Sequence, residues 1–241
     1  MNSPESPEQS VPETEARGSR RFRGMRRTWP FLILSGTVLA ALVVTAVVRG
    51  FIVDLYTVQQ VSMEPTLHHE ERILVERSYP TEAGPERGDI VVFDGTGSFA
   101  PYEGQVSLPE RLLQRVGHWV GLGSPPQTYV KRVLGAPGDT VACCDEQGRL
   151  TVEAQPLEEP YLHTSPSDGK PASELEFEVQ VPDGRIWVMG DHREESVDSR
   201  SLLGAPGGGM INQDRIIGRA TSVFWPWESR RDLEEAEDGH R

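Results

Sequence analysis

Residues 129–142 read Tyr-Val-Lys-Arg-Val-Leu-Gly-Ala-Pro-Gly-Asp-Thr-Val-Ala. Two short β-like runs, Tyr129–Leu134 and Thr140–Ala142, are separated by a Gly-Ala-Pro-Gly-Asp punctuation that fits a tight change of direction. The same rhythm recurs along the chain, in runs bounded by Gly, Pro and Asp: Leu55–Val61, Arg72–Glu76, Asp89–Phe93, Arg149–Glu153, Leu175–Val181, Arg185–Met189 and Ile216–Phe224. With 24 glycines and 19 prolines in 241 residues, the pattern predicts a turn-rich, mainly β core. The first run also carries a chemical oddity. Lys131 alternates with Tyr129 and Val133 along a strand, so the three share one face. A lysine turned into an apolar layer loses hydration and its pKa falls, which leaves an amine able to act as a general base. The alternative is a side chain that snorkels to water.

Only two lysines exist, Lys131 and Lys170; every other basic residue among the 24 is an arginine, which cannot give up its proton. Lys170 lies in a polar loop, Ser-Pro-Ser-Asp-Gly-Lys-Pro, and has no reason to be neutral. The net charge of −13 has the wrong sign for a bulk nucleic-acid binder. Two cysteines exclude a disulfide-stapled miniprotein and an all-cysteine zinc site. Cys143 and Cys144 are adjacent; across a trans peptide their Cα atoms stand about 3.8 Å apart, short of the usual disulfide range, so thiols outside a mutual disulfide are expected. His68 and His69, adjacent in the chain, are read as a solvated turn and not a metal pair.

Outward from this core the chain changes character. Residues 1–27 form a tail: 1–16 are rich in Pro, Ser and Glu and too polar to fold, and 17–27 hold six arginines and no acid. Residues 28–48 then run 21 positions without a charge. As a helix this is about 31 Å long, which matches a hydrocarbon core of about 30 Å. The run exceeds a signal-peptide apolar region and lacks a small-x-small site after it. A retained transmembrane anchor is therefore expected, with the arginines on the cytoplasmic side. Residues 49–226 become an extracytoplasmic domain with an irregular insert at about 95–127, in which Leu108–Val120 has helix-like apolar spacing. Residues 227–241 read as a solvated acidic tail. The expected fold is mainly β: an antiparallel-sheet ectodomain behind one N-terminal transmembrane helix, in a single-pass protein of the cell membrane.

Three segments concentrate reactive groups. Ser62 stands at the end of an extended run, before the turn Met63-Glu64-Pro65. Lys131 lies in the run described above. Ser196, Asp198 and Arg200 follow the apolar run Ile186–Met189, and Asp198 and Arg200 are spaced to pair on one strand face. In this order, the segments resemble the bacterial type I signal peptidases, membrane-anchored serine proteases with a Ser/Lys dyad. The resemblance covers most of the ectodomain. It is carried by Ser62-Met63-Glu64-Pro65-Thr66, Arg87-Gly88-Asp89 through Phe93, Lys131-Arg132-Val133 with Pro137-Gly138-Asp139, Gly190-Asp191 through Ser196-Val197-Asp198-Ser199-Arg200 with Gly204, and Ile217-Gly218-Arg219-Ala220 with Trp225-Pro226.

The resemblance implies that Ser62 attacks the scissile carbonyl, that neutral Lys131 takes its proton, and that Ser196 hydrogen-bonds Lys131 and orients it. It implies that Asp198 and Arg200 hold the site as an ion pair and that the Ser62 backbone N–H serves the oxyanion. Gln60 stands where some members carry a hydroxyl or glycine, so the second oxyanion donor is open; its amide can donate. His192 stands where an Asn is common and raises a Ser-His alternative. Neither a metal nor an organic cofactor is implied. The implied partners are signal-peptide-bearing pre-proteins and cytoplasmic membrane lipids, with small residues before the cut and no nucleic acid. Two other readings stay open: a related Ser/Lys protease with a dedicated client or self-cleavage, and a non-catalytic anchored binding domain.

Overall fold

The computed structural model describes residues 29–51, 53–79, 84–99, 127–166 and 169–233. The expected tail at 1–27, the insert helix at 108–120 and residues 234–241 lie outside the described residues. The chain divides into two compact units, Met1–Ala46 and Val47–Arg241. Residues 29–48 of the apolar run fall in a helix, α1 (Trp29–Phe51), with its side chains described over 31–45 and exposed there. Among the described residues no helix is long and apolar enough to cross a membrane.

The second unit is mainly β, as expected. Its strands are β1 (Val53–Thr57), β2 (Arg72–Glu76), β3 (Ile90–Asp94), β4 (Thr128–Gly135), β5 (Thr140–Cys143), β6 (Leu150–Val152), β7 (Gln155–Pro156), β8 (Phe177–Gln180), β9 (Arg185–Met189), β10 (Ile211–Asn212), β11 (Ile216–Trp225) and β12 (Arg231–Asp232). Eight form one sheet in the order β1-β2-β11-β3-β4-β9-β10, with β12 on β11; β7-β6-β5-β8 form a second. All these pairings are antiparallel. Successive side chains of a strand point to opposite faces, and both faces of the large sheet are covered. Ile90 and Val92 of β3 pack with Tyr56, Met63, Leu67, Ile73 and Val75, whereas Val91 and Phe93 pack with Val133, Ile186 and Val188. A third cluster, with Leu134, Trp187 and Met189, joins the small sheet through Val141, Leu150 and Phe177.

The punctuation after β4 does what its residues suggest. Gly138 has φ +92, a conformation open to glycine at little cost, and the Asp139 carboxylate accepts a 2.8 Å hydrogen bond from the Ala136 N–H. This turn carries the chain from the large sheet into the small one.

Three expectations need correction. The first strand ends at Thr57, not at Val61, because the chain turns away after Val58. Residues 227–233 are not a free solvated tail: although Trp227, Glu228, Arg230 and Asp232 are exposed, β12 pairs with β11, Leu233 is buried, and the Arg231 guanidinium meets Glu71 at 2.9 Å. Cys143 and Cys144 form a vicinal disulfide across a cis peptide, which brings their Cα atoms to 3.0 Å, closer than the trans separation assumed from the sequence.

Candidate active site

Ser62 opens a tight turn that the fold pins from below. After β1 the ladder persists for one more residue, with Val58 bonded to both Glu70 and Glu71. Gln59, Gln60 and Val61 are exposed. The turn closes through Glu64 N–H to Val61 O and Leu67 N–H to Met63 O, while Met63 and Leu67 sink into the core. Ser62 is thereby held between an exposed and a buried neighbour, with its carbonyl accepting a 3.2 Å hydrogen bond from the His192 N–H. Its position in a turn, and not at a strand end, is the consequence of the shortened β1.

Lys131 stands in the middle of β4, opposite Val91 of β3, and is 1% exposed. Its Nζ lies 2.5 Å from Ser62 Oγ, in hydrogen-bond contact. Burial pushes the Lys131 pKa down from 10.5 to about 8; Asp198 and Asp191 pull it up and Arg200 pushes it down further, but desolvation wins. Lys170, by contrast, is exposed and paired with Glu194. Among the described residues, the nitrogen bonded to the Ser62 hydroxyl is therefore a lysine's. The His192 ring instead stacks on His163, with centroids 4.0 Å apart, and its Nδ1 is buried without a partner.

Asp198 and Arg200 do pair, through two hydrogen bonds of 2.9 and 2.8 Å. They sit on a helix cap, not a strand face: Asp198 caps a 3-10 helix, Ser199–Leu202. Burial works against the Asp198 charge, but Arg200 and the Gly190 N–H hold its carboxyl below the usual range. The expected hydrogen bond from Ser196 to Lys131 is not formed. Ser196 Oγ is buried and lies close enough to Asp198 to favour that carboxylate's charged form, yet makes no hydrogen bond of proper geometry. Gly190 explains how these pieces come together: a Cβ there would stand 2.3 Å from Ser62 O and 2.3 Å from Ser196 Oγ, so only glycine admits both.

A second buried pair went unassigned in the sequence. Arg132, beside the catalytic candidate Lys131, grips Asp191 through two hydrogen bonds of 2.9 and 2.8 Å. It also donates to Gly88 O and lies 3.7 Å over the Tyr161 ring. Thr66 Oγ1 donates to Asp191 at 2.5 Å. Arg193 is ion-paired to buried Glu159, donates to Gly190 O and accepts from Arg200 through its own carbonyl. The one sequence signal for these was an arginine inside an apolar strand, which demands a buried acid.

Ser62 opens onto a cavity of about 190 Å³ lined by Tyr56–Gln60, Met63 and Gln127–Val130. Gln60 is exposed on that wall. His68 and His69 are exposed, and no group of three or more potential metal ligands occurs among the described residues.

The chain matches relatives of known kind. The family described as signal peptidase, peptidase S26, matches residues 32–225. A probable signal peptidase I of Mycobacterium leprae (strain TN) is 34% identical over 224 residues, covering 82% of this chain and 76% of that protein. Signal peptidase I U of Bacillus subtilis (strain 168) is 32% identical over 209 residues, covering 86% of this chain and 92% of that protein. Among solved structures, a signal peptidase I from Enterococcus faecalis V583 is 25% identical, covering 57% of this chain and 97% of that chain, with a TM-score of 0.37. With a family match that runs from α1 to the end of β11, and with relatives above 30% identity along most of their own length, the chain belongs to the signal peptidase family, peptidase S26.

Proposed function

We propose that this protein is a membrane-anchored serine endopeptidase that removes signal peptides from exported pre-proteins, with Ser62 as nucleophile and Lys131 as general base. The observation that carries the reading is the 2.5 Å approach of Lys131 Nζ to Ser62 Oγ inside a nearly dry site. With a pKa near 8, about a tenth of Lys131 is neutral at pH 7, enough to accept the serine proton. Ser62 Oγ then bonds to the scissile carbonyl carbon. As the C–N bond breaks, the Lys131 ammonium returns the proton to the leaving amine. A water molecule, deprotonated by Lys131, hydrolyses the acyl-enzyme.

The Ser62 N–H serves the oxyanion, and the Gln60 amide is the second donor; each such donor is worth about 3–4 kcal/mol. Asp198 and Arg200 hold the loop that carries Ser196. A cavity of about 190 Å³ is small against ordinary ligand sites, which favours small side chains before the cut. β1 lies at the edge of the large sheet, so an extended substrate can add alongside the segment that follows it. The uncharged run 28–48, of which residues 29–48 lie in α1, anchors the domain next to the membrane where signal peptides reside, with the arginine-rich tail in the cytoplasm. That tether raises its effective concentration towards pre-proteins.

The test is incubation of the purified full-length protein in detergent with a pre-protein, followed by mass spectrometry of the new N-terminus. Cleavage after a small residue is expected from the wild type and from neither Ser62→Ala nor Lys131→Ala. An active Lys131→Ala protein would overturn the dyad.

A further inference from the structure

A second cavity, of about 480 Å³, adjoins the site. Its wall includes Lys170, Glu174, Leu175, Arg193, Ser196 and Arg200. One lining residue of each cavity reaches Gly190: a Cβ there would stand 2.3 Å from Ser62 O and 2.3 Å from Ser196 Oγ. Acyl transfer puts the two halves of a substrate on opposite sides of the nucleophile. If the residues before the cut occupy the cavity beside Tyr56–Gln60, the leaving chain must depart where Lys131 can hand its amine a proton. Beyond Ser62 that direction leads to the Ser196 and Arg200 wall.

The charges of this wall are nearly all committed. Arg200 pairs with Asp198, Arg193 with Glu159 and Lys170 with Glu194. Among the described residues Glu174 has no ion-pair partner, and it is exposed. Of the two acids on this wall, Glu174 is thus the one outside a contact ion pair, although Lys170 is near enough to feel its charge. Ser196 adds a hydroxyl that is more than nine-tenths buried, beside Asp198 but without a hydrogen bond of proper geometry, and Leu175 adds an apolar surface 48% exposed.

We propose that the second cavity receives the first residues of the mature chain, and that Glu174 makes it favour a basic side chain within about four positions after the cut. This rests on the peptidase reading of Ser62 and Lys131. Four extended residues span roughly 13 Å.

The test uses the full-length protein in detergent and a pre-protein series carrying Glu, Gln or Lys at each of the first four positions after the cut, with kcat/KM as the readout. At one position or more, the Lys substrate should be cleaved roughly two- to five-fold faster than the Glu substrate, the range for an exposed ion pair. Glu174→Lys should invert that order. Glu178→Lys, at an exposed position of β8, should keep the wild-type order. Equal rates at all four positions, or an order unmoved by Glu174→Lys, would overturn the inference while leaving the peptidase intact. No cleavage of any member would overturn both.

Discussion

Replacing Lys131 with methionine should stabilise the folded protein at neutral pH while it destroys activity. The side chain is 1% exposed, and burial lowers its pKa from 10.5 to about 8. A lysine whose pKa is depressed binds its proton more weakly in the folded state than in the unfolded chain. Its penalty is therefore fully present below pH 8, shrinks between pH 8 and 10.5, and is absent above that window. At about 1.4 kcal/mol per unit, the depression amounts to about 3 kcal/mol. Methionine is unbranched, of similar length and uncharged. At pH 7 it should recover most of that penalty, less about 1 kcal/mol for the lost contact with Ser62 Oγ. By pH 10.5 the gain is gone and the small loss remains, so the variant should become slightly the less stable of the two. Urea unfolding of both full-length proteins in detergent, followed by tryptophan fluorescence at pH 7, 8.5 and 10.5, measures this. Titration of every other group cancels in the difference. A stability difference that stays level across that range would refute the idea that Lys131 is forced towards neutrality by burial.

Two further substitutions probe the frame around the lysine. Asp198→Asn removes an anion that raises the Lys131 pKa and strands Arg200, which lowers it; the acid limb of kcat/KM, expected near pH 8, should move to lower pH, and a limb that stays or rises contradicts the charge balance described above. Breaking the buried pair should also cost about 3–5 kcal/mol of stability, read as a fall in Tm. Gly190→Ala places a Cβ 2.3 Å from Ser62 O. Relief requires a shift of roughly 1 Å next to Ser62, the proposed nucleophile, which corresponds to about a hundred-fold loss in kcat; a folded alanine variant within two-fold of wild type would show that the loop yields without moving Ser62.

How much of this was legible depends on whether the signal was local. Arg72–Glu76 and Arg185–Met189 emerge with the bounds read from sequence, since each is an apolar run between turn residues. The two-residue strands Ile211–Asn212 and Arg231–Asp232 have no period to read, and one apolar residue, Leu233, outweighs the acidic company that made its segment look solvated. Lys131 stood out because lysine is scarce here and its neighbours are apolar. The Arg132–Asp191 pair did not, because its members are 59 residues apart and meet only when β4 and the segment after β9 come together. Ser196 was legible as a residue but not as a contact: spacing cannot say that its hydroxyl ends beside Asp198 and short of Lys131.

That last difference bears on why the lysine's pKa falls at all. Two carboxylates near a buried ammonium would ordinarily keep it charged. Here each carboxylate is already held by a guanidinium, Asp191 by Arg132 and Asp198 by Arg200. Each pair is close to neutral as a unit, so the pull on Lys131 from either side is blunted, and Arg200 opposes it outright. Arginine suits this task because it stays protonated and grips a carboxylate with a two-pronged fork. The excess of arginine over lysine in the sequence thus has a counterpart in the site: permanent cations are spent on fixing geometry and cancelling nearby anions. The single buried lysine remains the one cation whose charge desolvation can remove. An unpaired carboxylate on either side would pull harder on the ammonium and work against the burial that lowers its pKa, and so against a neutral amine in contact with Ser62.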